Sequence, residues 1–278
     1  MSATAFMPTV TTGTVERQAN QAGRKPGRRT DEVIRASILS EGIYELVIRD
    51  PYVACTVQPA QFVNLYPADA RMALPRPFGV AKVDDDDVTL IYQIVGAGTA
   101  EFSLLQAGDV IDVLGPLGKP FDTSKPANYV LVGGGLGVPP LLYAAQKLSE
   151  RNDGTQVTSV FGYRDARFAD DLVAPFADKT HSIVNAEGNV VDLLNDIEDE
   201  LSSADHPPVI LSCGPTPMMK AVAAWASKRD IPAQLSLEAR MGCGYGACVA
   251  CVVDTPSGRL KVCKDGPVFT IEELGWEA

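Results

Sequence analysis

The sequence predicts an α+β multidomain protein: an antiparallel β-barrel, then a parallel α/β domain, then a small cysteine-bearing module. Three observations carry this. Residues 31–122 hold many short strand-like runs separated by turn residues, the pattern of a closed barrel. From about residue 127, apolar strands alternate with segments of helical period, the pattern of a parallel sheet. Near the end, Cys243, Cys248, Cys251 and Cys263 are spaced C-x4-C-x2-C-x11-C. The implied boundaries are 1–30 for a tail, 31–124 for the barrel, 125–239 for the α/β domain and 240–278 for the module.

In the barrel the strand runs are EVIRASIL, IYELVIRD, QFVNLY, PFGVAKV, VTLIYQIV and DVIDVLG. Ser40-Glu41-Gly42, the Asp84–Asp87 run and Ala107-Gly108-Asp109 supply turns. Four consecutive acids cannot all face one ion, so Asp84–Asp87 reads as a solvated hairpin turn. In the second domain NYVLVGGG, TQVTSVFGY, HSIVNA, PPVILSCG and PAQLSLEA read as strands. LLYAAQKLSE, VVDLLNDIEDEL and PMMKAVAAWASKR read as helices.

Bulk properties narrow the function. With 278 residues, 46% of them hydrophobic, the chain can build more than one core. A net charge of −11 argues against a nucleic-acid partner. Residues 1–30 carry Arg17, Arg24, Lys25, Arg28 and Arg29 against Glu16 alone and lack apolar periodicity, so they read as a disordered basic tail. An organellar transit peptide is the alternative for that segment. No secretory apolar core and no run near the ~18 residues of a membrane span is present, so the expectation is a cytoplasmic protein away from membranes.

The cysteine spacing matches the plant-type [2Fe–2S] pattern, whose thiolates hold a one-electron carrier. Gly242, Gly244 and Gly246 suit a loop that must turn its N–H groups toward sulfur. Zinc and disulfides compete, although only Cys248 and Cys251 form the short clip usual at structural zinc, and disulfides need an oxidising compartment. Cys55 and Cys213 are then free thiols. Gly133-Gly134-Gly135-Leu136-Gly137-Val138-Pro139-Pro140 joins a strand to a helix, where glycines and a helix N-terminus admit a pyrophosphate. A plain tight βα turn is the rival reading. Ser212-Cys213-Gly214-Pro215 repeats the arrangement, and Cys213 alone also suits a small buried hydrophobe. Arg76-Pro77-Phe78-Gly79 opens one barrel strand, and Ile91-Tyr92-Gln93 ends another before Gly98-Thr99. An Arg beside a helix N-terminus can neutralise a diphosphate, and a neighbouring aromatic can stack on a flavin.

Taken in order, these motifs resemble the ferredoxin–NAD(P) reductase superfamily. With the cysteine module, residues 31–270 resemble the electron-transfer subunits of type B dihydroorotate dehydrogenases, most specifically over Leu235–Cys251 and Cys263–Phe269. The resemblance implies an FAD-binding barrel that uses Arg76, Pro77, Phe78, Gly79, Ile91, Tyr92, Gln93, Gly98 and Thr99. It implies an NAD domain that uses Gly133, Gly134, Gly135, Gly137, Cys213, Gly214 and Pro215, and a [2Fe–2S] cluster on Cys243, Cys248, Cys251 and Cys263. No catalytic residue is assigned; Cys213 and Glu238 are the candidates for places beside flavin and nicotinamide. Asp165 after Tyr163-Arg164 suits a ribose hydroxyl, while Arg164 keeps NADP open. Gly79 stands where the family has Ser or Thr, and Gln93 where it has Arg. The resemblance therefore implies that Ser at position 79 would tighten flavin binding.

The implied activity is electron transfer in pyrimidine biosynthesis. An FMN catalytic subunit oxidises dihydroorotate, and electrons pass singly through the cluster to FAD and then as hydride to NAD+. The implied assembly is a heterotetramer of two copies of each subunit. Only His181 and His206 are available as histidines, which suits chemistry needing no general base. The alternative is a flavin and iron–sulfur subunit of a sulfhydrogenase or transhydrogenase with another partner.

Overall fold

The structure, a computed structural model, describes residues 27–277. Six antiparallel strands close into a barrel: β1 (Arg29–Ser40), β2 (Ile43–Arg49), β3 (Phe62–Tyr66), β4 (Arg76–Asp84), β5 (Asp87–Gln93) and β6 (Val110–Leu117), in the order β1-β2-β5-β4-β3-β6. Closure comes from β1, which pairs with both β2 and β6. Strand alternation fills the interior. On β3, Val63 and Leu65 join Val33, Leu46, Leu90 and Val113 in the barrel core. Phe62 belongs to a different cluster, shared with the rest of the chain.

The tail expected over 1–30 lies outside the described residues up to 26. Its last two residues are in β1. Arg29 is buried, and its guanidinium reaches Asp50 Oδ2 at 2.5 Å and the Gly115 carbonyl at 3.2 Å. Asp50 also caps α1 (Pro51–Thr56), accepting from Tyr52 N and Val53 N at 3.0 Å. Asp85 and Asp86 form the hairpin turn between β4 and β5 as expected, with Asp85 at φ +51°.

After α2 (Ala97–Phe102), a mixed six-stranded sheet follows: β7 (Asn128–Gly134), β8 (Gln156–Tyr163), β9 (Lys179–Val184), β10 (Pro208–Cys213), β11 (Ala233–Ser236) and β14 (Val268–Thr270). Its order is β14-β11-β10-β7-β8-β9. All pairs are parallel except β11 with β14. The helices α3 (Val138–Ser149), α4 (Asp170–Val173), α5 (Val190–Asp196), α6 (Glu198–Ser202) and α7 (Thr216–Ser227) make the crossovers. The strand order reverses at β7, with β8 and β9 added on one side and β10 on the other, so the carboxyl ends of the neighbours β7 and β10 open the crevice where such sheets take ligands.

Helix α3 ties the sheet to the barrel. The Tyr143 hydroxyl donates to the Val57 carbonyl at 3.1 Å. Gln146 Nε2 donates to the Val83 carbonyl at 2.6 Å, and Gln146 Oε1 accepts from Val83 N at 3.1 Å.

The C-terminal segment is part of the same body. It adds the hairpin β12 (Val252–Thr255) and β13 (Gly258–Lys261), then α8 (Val262–Asp265), β14 and α9 (Ile271–Leu274). Cys251, Val262, Cys263, Phe269 and Leu274 share one core with Leu235, Met219 and Trp225. Lys119 N donates to the Gly266 carbonyl at 2.6 Å, and Leu237 N to the Pro267 carbonyl at 2.9 Å.

Candidate functional site

A cleft of about 400 Å³ lies where barrel, sheet and C-terminal segment meet. The barrel side is Arg76–Gly79 on β4, Ile91–Gln93 on β5 and Thr99 on α2. The sheet side is Leu136, Pro139 and Pro140 at the start of α3, with Cys213 at the end of β10. Ser236–Ala239 and Met241 form the third wall. The volume falls within the range of small-molecule and cofactor sites, and mostly apolar walls with a few polar groups are their usual chemistry.

Each barrel residue expected at a flavin has a defined environment. Arg76 Nη1 donates to the Leu74 carbonyl at 2.6 Å. Its guanidinium lies so close to Gly98 that a Cβ there would sit 2.6 Å from Nε. The glycine at 98 is therefore a seat for the arginine. Thr99 is engaged locally, because its hydroxyl accepts from Val95 N at 2.9 Å and donates to the Gly96 carbonyl at 3.0 Å. Tyr92 is buried, stacked on Tyr44 at 5.7 Å and edge-on to Phe78 at 5.4 Å. Burial pushes its hydroxyl up to about 12, so it is a neutral donor. Gln93 is exposed at the rim.

Gly79 departs from the expectation that a hydroxyl would fit. A Cβ there would lie 2.6 Å from Pro140 Cγ and 3.4 Å from Pro140 Cβ. The pyrrolidine ring of α3 fills the space a Ser or Thr side chain would occupy, so the missing hydroxyl is matched by an added ring.

The two glycine turns sit side by side at the crevice, with Gly133 opposite Cys213 across the β7–β10 ladder. Their glycines fit one another. A Cβ on Gly137 would meet the Cys213 carbonyl oxygen at 2.2 Å, and one on Gly134 would meet Met218 Sδ at 2.5 Å. A Cβ on Gly214 would come within 3.0 Å of Gly134 N, and one on Gly133 would press on Val138 and Leu141. Gly135 alone, at φ +53°, faces open space. Leu136 and Pro139 reach the cleft, while the loop glycines and Pro215 do not line it.

Cys213 is buried at the cleft wall. Burial, and then the Glu238 carboxylate, hold its thiol far above the ordinary range, so it stays neutral. The Glu238 side chain opens into the cleft, but the surrounding protein excludes enough water to raise its carboxyl. Arg164 and Asp165 are exposed beyond β8. Arg167 nearby is paired with Glu187 and donates to Ser182 Oγ at 3.0 Å.

Two residues past Met241, the cysteine loop begins. Its sulfurs fall into two pairs. Cys243 N donates to Cys248 Sγ and Cys248 N to Cys243 Sγ, both at 3.4 Å. Cys263 N donates to Cys251 Sγ at 3.5 Å. Among the described residues, no three His, Cys, Asp or Glu converge as they would around a single ion. Two thiol pairs fit the donor set of a binuclear cluster, two sulfurs to each iron. Gly244 and Gly246, at φ +77° and +89°, turn the amides inward. Burial opposes ionisation of Cys243, but the amides of Cys248, Tyr245 and Ala247 outweigh it and bring the thiol down to about 6. A thiolate-ready Cys243 in a cage of N–H groups suits iron–sulfur ligation.

Sequence reasoning had Pro140 and Met241 only as members of longer motifs, and it missed Asn64 and Lys261. Asn64 Nδ2 donates to the Cys243 carbonyl, and Lys261 Nζ to the Gly246 carbonyl, each at 2.8 Å. Nothing local in the sequence marks them, because each partner is distant along the chain or on another element.

The comparisons agree with this geometry. Residues 238–275 match the family model for the iron–sulfur cluster binding domain of dihydroorotate dehydrogenase B. The dihydroorotate dehydrogenase B (NAD(+)) electron transfer subunit of Listeria monocytogenes serotype 4b (strain F2365) is 39% identical over 257 residues, covering 87% of this chain and 97% of that protein. The subunit of the same name from Shouchella clausii (strain KSM-K16) is 38% identical, covering 90% and 98%. Among solved structures, that of an NADH-dependent reduced ferredoxin–NADP oxidoreductase superposes with a TM-score of 0.77 at 28% identity, covering 88% of this chain and 90% of that one. Ferredoxin–NADP+ reductase from Plasmodium falciparum shares the fold, with a TM-score of 0.60 at 13% identity over 75% of this chain and 96% of that one. The curated matches extend over nearly the full length of each relative, so they take in barrel, sheet and cysteine loop together, and this chain belongs to the family of dihydroorotate dehydrogenase B electron transfer subunits.

Proposed function

We propose that this chain carries electrons from a dihydroorotate-oxidising, FMN-bearing partner to NAD+, in a heterotetramer with two copies of each subunit. One observation carries the reading: Met241 lines the cleft and Cys243 stands two residues beyond it, so the cleft and the cysteine loop are one continuous site. When bound, a [2Fe–2S] cluster supplies single-electron steps and FAD joins them to the two-electron hydride chemistry of NAD+.

The residues then have separate tasks. Arg76 offers a fixed guanidinium to a diphosphate. Phe78, Ile91, Pro139 and Pro140 give the cleft apolar walls that exclude water. Leu136 and Gly135 present the open side of the β7 turn to the dinucleotide. Cys213, held neutral, would stand beside the reacting rings without competing as a nucleophile. Asp165 suits a ribose hydroxyl; the nearby Arg167 is tied to Glu187, while the exposed Arg164 keeps the 2′-phosphorylated form open. Around the loop, Tyr245, Val249 and Val252 are exposed apolar side chains. They suit a partner docked over the cluster.

The solved structure at 28% identity supports a second reading, in which the same apparatus serves an NADH-dependent ferredoxin–NADP oxidoreductase. The relatives at 38–39% identity favour the first. The test uses the purified chain with and without a dihydroorotate-oxidising FMN subunit. Alone, it should oxidise NADH with an artificial acceptor and leave dihydroorotate untouched; together, the two should reduce NAD+ with dihydroorotate. Cys248→Ala should lose cluster absorbance and the coupled reaction while retaining most NADH oxidation. Dihydroorotate oxidation by the chain alone, or coupling that survives Cys248→Ala, sinks the proposal.

A further inference from the structure

We propose that Asn64, a residue of the barrel, is a positioning residue for the cysteine loop and sets the electron affinity of the cluster held there. The inference rests on the iron–sulfur reading of that loop.

Strand β3 turns Val63 and Leu65 into the barrel core, which leaves Asn64 on the outer wall facing the loop. It has no exposed surface at all. Its Nδ2 donates at 2.8 Å to the carbonyl of Cys243, a residue 179 positions away. Gly244 makes the approach possible, since a Cβ there would stand 2.3 Å from Nδ2. On the far side of the loop, Lys261 Nζ holds the Gly246 carbonyl at 2.8 Å.

These two bonds draw carbonyls of the loop outward. Holding the Cys243 carbonyl fixes the backbone of the residue that both donates to and accepts from its partner thiol: Cys243 N donates to Cys248 Sγ, and Cys248 N to Cys243 Sγ. Hydrogen bonds to the sulfurs favour the more negative, reduced form of a cluster. Asn64 therefore acts on the cluster through the orientation of Cys243, without touching it.

A purely structural role fits the side chain poorly. Asn64 Oδ1 is buried without a hydrogen-bond partner among the described residues. An unpaired buried oxygen is a cost, and an apolar residue would fill a barrel wall without it. Breaking a local rule where two cofactor sites meet points to a functional reason for the residue.

The experiment is an anaerobic redox titration of the full chain, followed by electron paramagnetic resonance, for wild type, Asn64→Leu and Asn64→Met. FAD content is measured in parallel. Both variants should bind FAD as wild type does. Both should show altered cluster resonances and an electron affinity lowered about tenfold, equivalent to about 59 mV for one electron. If both retain FAD but fail to hold a cluster, the positioning role also stands. A cluster of unchanged potential and spectrum in either variant overturns it, as does loss of FAD together with the cluster in both. A wild-type chain that assembles no cluster under reconstitution would instead sink the iron–sulfur reading itself.

Discussion

Serine at position 79 is the most informative single substitution, because family resemblance and structure predict opposite signs. By resemblance, Gly79→Ser restores a flavin contact worth about 1 kcal/mol. In the structure, the new Cβ would lie 2.6 Å from Pro140 Cγ, when carbon atoms settle at about 3.5–4.0 Å. The ring or the strand must move by about 1 Å. Neither is free: Pro140 is in the first turn of α3, and α3 is pinned to the barrel by Tyr143 on Val57 and Gln146 on Val83. Overpacking of this kind costs about 1–3 kcal/mol. Felt fully at the cleft, that weakens FAD binding about 5- to 150-fold, and the hydroxyl recovers only part of it. The assay is FAD affinity of the reconstituted apoprotein for Gly79→Ser, Pro140→Ala and the double variant. Removing the ring should rescue the serine, with a coupling of about 0.5–3 kcal/mol. Tighter FAD binding in Gly79→Ser alone, or a penalty that Pro140→Ala leaves unchanged, refutes the reasoning.

Two further outcomes follow from other residues. Arg76→Ala removes a charge-assisted contact of about 1.5–3 kcal/mol, so FAD affinity should fall about 10- to 150-fold; equal affinity in wild type and variant would refute the site. Asp31 is buried, and burial followed by the Asp50 carboxylate raises its carboxyl to about 8, against 3.8 in the unfolded chain. The folded state thus keeps a proton the unfolded chain releases, so this group's contribution is fully present below about pH 4 and is lost as pH rises toward 8. Asp31→Asn should therefore stabilise the protein by about 2 kcal/mol or more at pH 8 and by little at pH 4; denaturant titrations giving equal gains at both pH values would contradict it.

Elements whose signal is local were legible. Period-two strands, the period of α3 and α7, and the cysteine spacing each depend on neighbours in the chain. What stayed hidden depends on distant partners. Strand β14 is three residues long, and its identity as a strand comes from pairing with β11, more than thirty residues earlier. Arg29 reads as one more charge of a basic tail until Asp50 is placed beside it. Helix α1 was missed despite a local signal, the Asp50-Pro51 pair that suits a cap and a first helical position. VVDLLNDIEDEL reads as one helix, but the structure divides it at Ile197 into α5 and α6. Asn64 carries no mark of its own within the QFVNLY run, because the loop that buries it is remote in sequence.

The glycines carry the deeper lesson. In sequence the glycine loops look like room left for a ligand. In the structure, Gly79 makes room for Pro140, Gly98 for Arg76, Gly137 for the Cys213 backbone, Gly244 for Asn64 and Gly118 for Pro267. Four of these five contacts join the barrel, the sheet or the C-terminal segment to one another or to a neighbouring turn, and the Gly98–Arg76 contact fixes the cleft's cation. The missing side chains let separately folded surfaces approach to backbone distance around one cleft. A flavin and a cluster exchange electrons only when held near each other, and nearness here is set by how closely β3 packs against the loop and β4 against α3. The residues that bring the pieces together are therefore as much a part of electron transfer as those that would touch the cofactors. That is why Gly79 and Asn64, which sit at such seams, are where the function should be most sensitive to a single added or deleted group.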